Sequence, residues 1–213
     1  MLEIVNTGVA NIRSLQAAFD RLGQPWHLTE DPQEILAAEF LVLPGVGSFA
    51  AATEQLDRLG IRQALRDRLQ DDRKPSLCIC LGMQLLMAGS EEAPGAAGLG
   101  VIDRQVLRFP TDVPVPQLGW NRVVPQSNDA SEDAPLVEGE AYFANSFRLV
   151  DPPEAPWGLA TTDYGGQFVS SLWRGRILAC QFHPELSGQW GGQLLASWLA
   201  GHRQALAKEV PTC

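Results

Sequence analysis

The first half of the chain alternates short apolar runs with segments whose apolar residues recur every three or four positions. The apolar runs, such as Leu2–Val5 and Phe40–Leu43, predict buried strands, and the segments between them predict amphipathic helices. The sequence from Asp31 to Glu34 predicts a helix start, with an N-cap, a first-turn proline and a capping-box acid. Ser48 is placed to cap the helix after the second run. Strands that alternate with helices through short connections indicate a parallel sheet covered on both faces.

The second half differs because strand candidates follow one another between turns rich in proline and glycine. They lie at 101–109, 119–124, 141–150, 157–162, 167–173 and 176–182. A terminal helix is predicted over 191–208. The whole pattern predicts an α/β fold with a mostly parallel central sheet, flanking helices and an added antiparallel β region. No linker or low-complexity stretch divides the chain, so we expect one domain over residues 1–213.

Composition narrows the function classes. Of 213 residues, 16 are Lys or Arg and 25 are Asp or Glu, giving a formal charge of −9. This balance excludes an electrostatic nucleic-acid binder and disfavours an anionic membrane surface. The uncharged stretch 75–90 is too short to span a bilayer, and the N-terminus lacks the pattern of a signal peptide. Four cysteines are too few for a disulfide scaffold. We therefore expect reduced thiols and a cytoplasmic location.

Cys80 is the candidate nucleophile. It stands between an apolar strand, 76–80, and a helix predicted over 82–88, which is the position of a nucleophile elbow. A thiol at a helix N-terminus is favoured as thiolate, and the next backbone N–H can stabilise an oxyanion. The alternative is a buried structural cysteine.

A second strand end supplies a base and a carboxylate. The apolar run 177–182 leads into His183-Pro184-Glu185, so His183 can take the thiol proton while Glu185 orients the imidazole. An isolated surface histidine is the alternative. A rival zinc site would use Cys78, Cys80, Cys180 and His183. That set is disfavoured because its cysteines lie in apolar strands rather than in loops, so no metal is expected.

Three separated motifs agree in their order along the chain: Pro-Gly-Val-Gly at 44–47, Cys-Leu-Gly-Met-Gln at 80–84 and His-Pro-Glu at 183–185. With them the sequence resembles the class I, triad-type glutamine amidotransferases, which implies a flavodoxin-like fold. Within that class it is similar to the glutaminase subunits of imidazole glycerol phosphate synthases. That closer similarity rests on Ser-Phe after the first motif, Ser-Glu-Glu-Ala-Pro-Gly at 90–95 and Leu-Gly-Trp-Asn at 118–121. The match covers essentially the whole chain.

The resemblance implies that Cys80 attacks the side-chain amide of glutamine, assisted by His183 and Glu185. Water then hydrolyses the glutamyl thioester, and ammonia is the useful product. The oxyanion hole is expected at Leu81, Val46 and Gly47, with Gly45 and Gly47 permitting a peptide flip. The substrate-binding positions carried over from the family are Gly45, Gln84, Glu92, Asn145, Ser146 and Phe147.

The resemblance also implies a partner. Ammonia would pass to a separate (β/α)₈-barrel cyclase subunit, which makes imidazole glycerol phosphate and aminoimidazole carboxamide ribonucleotide in histidine biosynthesis. We therefore expect a heterodimer, without a cofactor. Positions expected at the interface are Asn11, Trp120, Asn121 and Leu186. A core role for Trp120 remains open, because tryptophan is usually buried.

Several positions depart from the family pattern. Cys78 stands where the elbow usually has glycine, and Leu186 stands where lysine is usual. The other departures are Asn6 and Thr7 in the first loop and Asn145 and Phe147 in a segment that usually reads His-Ser-Tyr. One alternative function is the amidotransferase component of anthranilate or aminodeoxychorismate synthase, against which Leu-Gly-Trp-Asn argues. Another is a catalytically silent regulatory relative, against which the complete triad argues.

Overall fold

The central sheet joins a parallel half to an antiparallel half. The computed structural model describes residues 1–8, 12–45, 47–126 and 135–209, with side chains as far as residue 201. Within these ranges a nine-stranded sheet has the order β2-β1-β3-β4-β12-β11-β10-β7-β8. Asn11 and Val46, predicted at the interface and the oxyanion hole, lie outside the described residues.

The parallel half comes from the strand–helix alternation of the first half of the chain. Its strands are β1 (Leu2–Val5), β2 (Trp26–Thr29), β3 (Phe40–Leu43), β4 (Ser76–Ile79) and β12 (Ile177–Cys180), each parallel to its neighbours within this group. The connecting helices are α1 (Arg13–Arg21), α2 (Pro32–Ala37), α3 (Phe49–Arg58) and α4 (Arg62–Gln70). The predicted parallel sheet is confirmed.

The antiparallel half is the predicted second region. It contains β7 (Gln117–Pro125), β8 (Gly139–Asn145), β10 (Gly158–Asp163) and β11 (Gln167–Arg174). A turn at Gly175, with φ 53°, leads from β11 into antiparallel β12. A smaller sheet holds β5 (Met87–Ser90), β6 (Ile102–Arg108) and β9 (Phe147–Arg148). The long helix α6 (Gly188–Glu209) packs beside the sheet. Across the described ranges, none of the helices is long and apolar enough to cross a membrane.

The helix starts are confirmed in part. Asp31 caps α2 by accepting the amides of Gln33 and Glu34 at 2.6 and 3.2 Å, and Ser48 caps α3. The capping-box role of Glu34 is wrong. Its carboxylate accepts the Thr29 hydroxyl at 2.6 Å, and the Asp31 amide donates to Thr29 Oγ1 at 3.0 Å. The Thr29 hydroxyl, at the end of β2, thus accepts the Asp31 amide in place of the Glu34 carboxylate.

The helix predicted over 82–88 is also corrected. Helix α5 (Leu81–Gln84) is a single turn, and β5 follows it. The reason is a pairing with a distant segment: carbonyls of Leu85 and Met87 accept the amides of Leu99 and Gly100 at 2.7 and 3.2 Å. These bonds to residues 98–102 replace the bonds that would continue the helix. The strand predicted over 141–150 is likewise broken into β8 and β9 at residue 146.

Candidate active site

Cys80 lies at a strained elbow between β4 and α5. Among the residues described, it is the one non-glycine residue with a positive φ, 52°. Its amide donates to the Cys180 carbonyl at 2.7 Å, which ties the elbow to β12. A Cβ at Gly82 would lie 2.0 Å from the Leu43 carbonyl oxygen, so only glycine fits there. The backbone contacts therefore hold the Cys80 thiol at the carboxyl end of the parallel sheet.

His183 reaches the same edge because β12 runs parallel to β4, with Cys180 opposite Ile79. Three residues beyond that pair, the His183 amide donates to the Tyr142 carbonyl at 2.9 Å. The imidazole Nδ1 lies 2.9 Å from Glu185 Oε1. Glu185 sits in a short 3₁₀ helix, Pro184–Leu186, that directly follows His183. The two predicted strand ends thus bring the three proposed catalytic side chains together.

The electrostatics of His183 favour its protonated form. Burial lowers the pKa of the imidazole, but hydrogen bonds and charge interactions with Cys80 and Glu185 raise it to about 10. One carboxylate oxygen of Glu185 bonds to the ring, and its Oε2 is buried without a hydrogen-bond partner among the described residues. An imidazole held between a thiol and a carboxylate is equipped to accept the thiol proton.

A cavity of about 290 Å³ opens in front of the thiol. This is close to the lower end of volumes for small-molecule sites, about 300 Å³. Its lining consists of Gly47, Cys80, Leu81, Gln84, Glu92, Ala144, Asn145, Ser146, Phe147 and His183. All the predicted substrate-binding positions except Gly45 line it. Gly45 lies behind Leu81, where a Cβ would come within 2.5 Å of Leu81 Cβ.

Hydrogen bonds to backbone groups fix three polar side chains that line the cavity. Gln84 Nε2 and Asn145 Nδ2 both donate to the Phe147 carbonyl, at 3.3 and 2.9 Å. Glu92 Oε2 accepts the Phe49 amide at 3.0 Å. Asn145 Oδ1 is buried and has no hydrogen-bond partner within the described ranges. It is an acceptor at the cavity wall that a ligand can satisfy.

The Leu81 amide, which is the expected oxyanion donor, already makes a hydrogen bond within the protein. The Leu81 amide donates to the Gly45 carbonyl at 3.3 Å. Gly47, at the cavity wall, has φ 101°, a conformation that favours glycine. Because the Gly45 carbonyl accepts the Leu81 amide, the peptide after Gly45 presents its oxygen to the elbow.

The sequence reasoning missed Gln181. This buried residue follows β12, and its Nε2 donates to Cys80 Sγ at 3.6 Å. Its signal in the sequence is a glutamine at the end of an apolar strand, because a buried amide requires hydrogen-bond partners. Ala144, which also lines the cavity, carried no such signal.

The cysteines do not assemble the rival zinc site. Cys78 and Cys180 are fully buried, and burial raises the pKa of both thiols, that of Cys180 to about 12. Cys78 packs in one core cluster, whereas Cys80 and Cys180 pack in the other. In the part of the chain that the structure describes, the group close enough to share an ion is Glu3, His27 and Glu34. That group belongs to β1, β2 and α2.

The proposed interface residues that the structure describes lie on β7 and on the short 3₁₀ helix after His183. Trp120 is 57% exposed and packs edge-on against Tyr142, with ring centroids 6.2 Å apart, so a core role for it is wrong. Leu186 and Leu118 are also exposed. Asn121 Nδ2 donates to the Asp163 carbonyl at 2.9 Å, which is a contact within the fold. The interface role of these residues stays a prediction.

Comparison with known proteins agrees with this geometry. The sequence model of the family described as "Glutamine amidotransferase class-I" matches residues 4–199. The fold is similar to a crystal structure of a glutamine amidotransferase, with TM-score 0.72, 18% identity, and coverage of 94% of this chain and 98% of that one. The chain belongs to the class I glutamine amidotransferase family.

Closer relatives refine the assignment. The chain is 40% identical to the imidazole glycerol phosphate synthase subunit HisH of Symbiobacterium thermophilum, over 92% of this chain and 91% of the relative. It is 42% identical to the HisH subunit of Methanopyrus kandleri, over 93% of this chain and 96% of the relative. Within the class I amidotransferases, it belongs to the family of these HisH subunits.

Proposed function

We propose that the chain hydrolyses L-glutamine through Cys80, His183 and Glu185. The observation that carries this proposal is the contact of His183 with both Cys80 and Glu185 at the wall of the cavity. His183 takes the proton of Cys80, and the sulfur attacks the carboxamide carbon of the substrate. The protonated imidazole then gives its proton to the leaving nitrogen, which releases ammonia and leaves a thioester. His183 next deprotonates a water molecule, and its attack releases glutamate and the thiol.

Substrate recognition falls to the polar groups of the cavity. The carboxylate of Glu92 supplies negative charge for the substrate ammonium group, and Asn145 Oδ1 offers a buried acceptor. Gln84 lines the same cavity and, like Asn145, donates to the Phe147 carbonyl. The cavity volume, about 290 Å³, suits an amino acid.

The oxyanion hole requires a rearrangement. Rotation of the peptide after Gly45 would free the Leu81 amide and turn the following amide towards the cavity. Glycine at 45 and 47 gives the segment the freedom to rotate. Two backbone donors would then face the developing oxyanion, which is the arrangement that stabilises tetrahedral intermediates.

Ammonia is delivered to a cyclase subunit of imidazole glycerol phosphate synthase. The exposed apolar side chains of Leu118 and Trp120 on β7, and of Leu186 three residues after His183, support a docking partner. The relatives compared above are subunits of that synthase by name. Their names disfavour an anthranilate or aminodeoxychorismate synthase, and the assembled triad disfavours a silent relative.

The test is glutamate release from glutamine by the purified chain. It is measured with the chain alone, and with a histidine-pathway cyclase subunit plus its nucleotide ligand. We expect marked stimulation only in the full mixture. Hydrolysis without stimulation would retain the Cys80 mechanism and reject the partner, whereas no hydrolysis under any condition would favour the silent relative.

A further inference from the structure

A chain of three hydrogen bonds joins Cys80 through Gln181 to Gln84 and Phe147, which line the same cavity. Gln181 Nε2 donates to Cys80 Sγ at 3.6 Å, and Gln181 Oε1 accepts Gln84 Nε2 at 3.0 Å. Gln84 Nε2 also donates to the Phe147 carbonyl at 3.3 Å. Gln181 is only 1% exposed, and its backbone N–H donates to the Ser170 carbonyl at 2.9 Å. The nucleophile is thus linked through buried amides to a residue that lines the cavity.

The direction of these hydrogen bonds is fixed by one backbone carbonyl. The Phe147 oxygen can only accept, so Gln84 must turn its NH₂ group towards it. That same NH₂ group faces Gln181, which must therefore present its oxygen to Gln84. The NH₂ group of Gln181 is left facing the sulfur. If the Gln181 amide were flipped, its NH₂ group would face the NH₂ group of Gln84.

We propose that Gln181 stabilises the thiolate of Cys80 and holds its sulfur beside His183, and that Gln84 keeps the Gln181 amide in this orientation. An N–H donor bonds more strongly to an anion than to a neutral thiol, so the contact favours the charged sulfur. The titratable groups on the elements packed against Cys80 include His183, which contacts the sulfur, and Glu185, which bonds to His183. Cys180, whose carbonyl accepts the Cys80 amide, and Glu92, which lines the same cavity, complete this set among the described residues. The inference rests on Cys80 being the nucleophile proposed above.

A merely structural role makes a different prediction. If Gln181 only satisfied its own burial, its replacement would lower stability and leave the titration of Cys80 unchanged. The discriminating measurement is therefore the pH dependence of Cys80 alkylation by iodoacetamide. Mass spectrometry of the Cys80 peptide separates this reaction from alkylation at the other cysteines. The assay needs neither glutamine nor a partner.

The primary variant is Gln181→Met in the full chain, because methionine has a similar length without an amide. We expect the midpoint of the pH profile of Cys80 alkylation to move about one unit higher, so that the rate at a pH below both midpoints falls about tenfold. Gln24→Met is the matched control, because Gln24 is also buried but precedes β2, at the other end of the parallel strands. It should react like the wild type.

Folding of each variant is checked by circular dichroism. If Gln181→Met does not fold, Gln181→Asn decides, because it keeps an amide but withdraws it from the sulfur. A folded Gln181 variant with the wild-type alkylation profile would overturn the inference. A measurement on the wild type requires no variant: the side-chain amide resonance of Gln181 should shift with the midpoint of the Cys80 reaction. A resonance that does not respond to that titration overturns the inference too.

The proposed function can fail independently. In that case glutamate release is absent while the alkylation of Cys80 still depends on Gln181.

Discussion

The backbone amide of Leu81 donates its hydrogen bond to the carbonyl oxygen of Gly45, with the two atoms 3.3 Å apart. The amide next to the proposed nucleophile is thus bonded to the segment that is proposed to complete the oxyanion hole. Any change that fixes or displaces this segment is expected to affect hydrolysis before it affects binding.

Gly45→Ala tests this close approach. The added Cβ would lie 2.5 Å from Leu81 Cβ and 2.6 Å from the Gly82 nitrogen, so the backbone must shift. We expect a loss of about 1–3 kcal/mol in the free energy of unfolding, measured by denaturant titration. Glutamine hydrolysis should fall about 100-fold. Gly201→Ala is the control, since nothing lies within 4 Å of its Cβ in α6. Equal effects of the two substitutions would contradict the close-packing argument.

Removal of the proposed nucleophile or base tests whether glutamine hydrolysis and the cyclase reaction are carried out by different subunits. Cys80→Ser and His183→Ala should each lower glutamine-supported turnover of the complex at least about 10³-fold, because the triad acts as a unit. Turnover with added ammonia should be unchanged, since that route bypasses the thioester. The measurement is product formation by the complex with each nitrogen source. Loss of both activities would indicate a damaged interface or fold instead.

Glu185→Gln tests the charge pairing of His183. The pKa of His183 is raised from 6.5 to about 10, so the folded protein retains a proton that the unfolded chain releases above pH 6.5. Cys80 and Glu185 together raise this pKa, so the share of the stabilisation that Glu185 contributes is fully present below pH 6.5 and is lost as the pH rises towards 10. The difference in Tm between the wild type and Glu185→Gln should shrink over this range. A difference that is constant with pH would show that the carboxylate acts only by packing.

Trp120→Ala tests the proposed docking surface. An exposed tryptophan at the centre of an interface typically contributes about 2 kcal/mol or more, so Kd for the cyclase subunit should rise about 30-fold. The Tm of the isolated chain should change little, because the ring is mostly exposed. Leu36→Ala, at an exposed apolar residue of α2, is the control. An unchanged Kd, measured by calorimetry, would remove Trp120 from the interface.

Much of the fold followed from local pattern. The strand–helix alternation and the caps at Asp31 and Ser48 depend on neighbouring residues, and the sequence predicts them directly. The short strand β5 could not be predicted in this way. Its backbone bonds go to residues 98–102 and to β6, and the apolar residues before it have the spacing of a helix. A pairing with a distant segment outweighed the local preference.

In the candidate site, too, the sequence predicted the residues that follow a local pattern and missed those that depend on distant contacts. Cys80 and His183 were found because each ends an apolar strand, and parallel strands carry their ends to one edge. Gln181 was missed because its importance depends on which side chains face it. The orientation of the peptide after Gly45 was also beyond the sequence, since glycine allows several conformations.

The register between β4 and β12 has a consequence for biosynthesis of the protein. Cys180 pairs with Ile79 across 101 positions of the chain, so β12 leaves the ribosome long after β4. An emerging polypeptide therefore carries the proposed nucleophile, Cys80, long before the proposed base, His183, is translated. A chain truncated before β12 is expected to hydrolyse no glutamine.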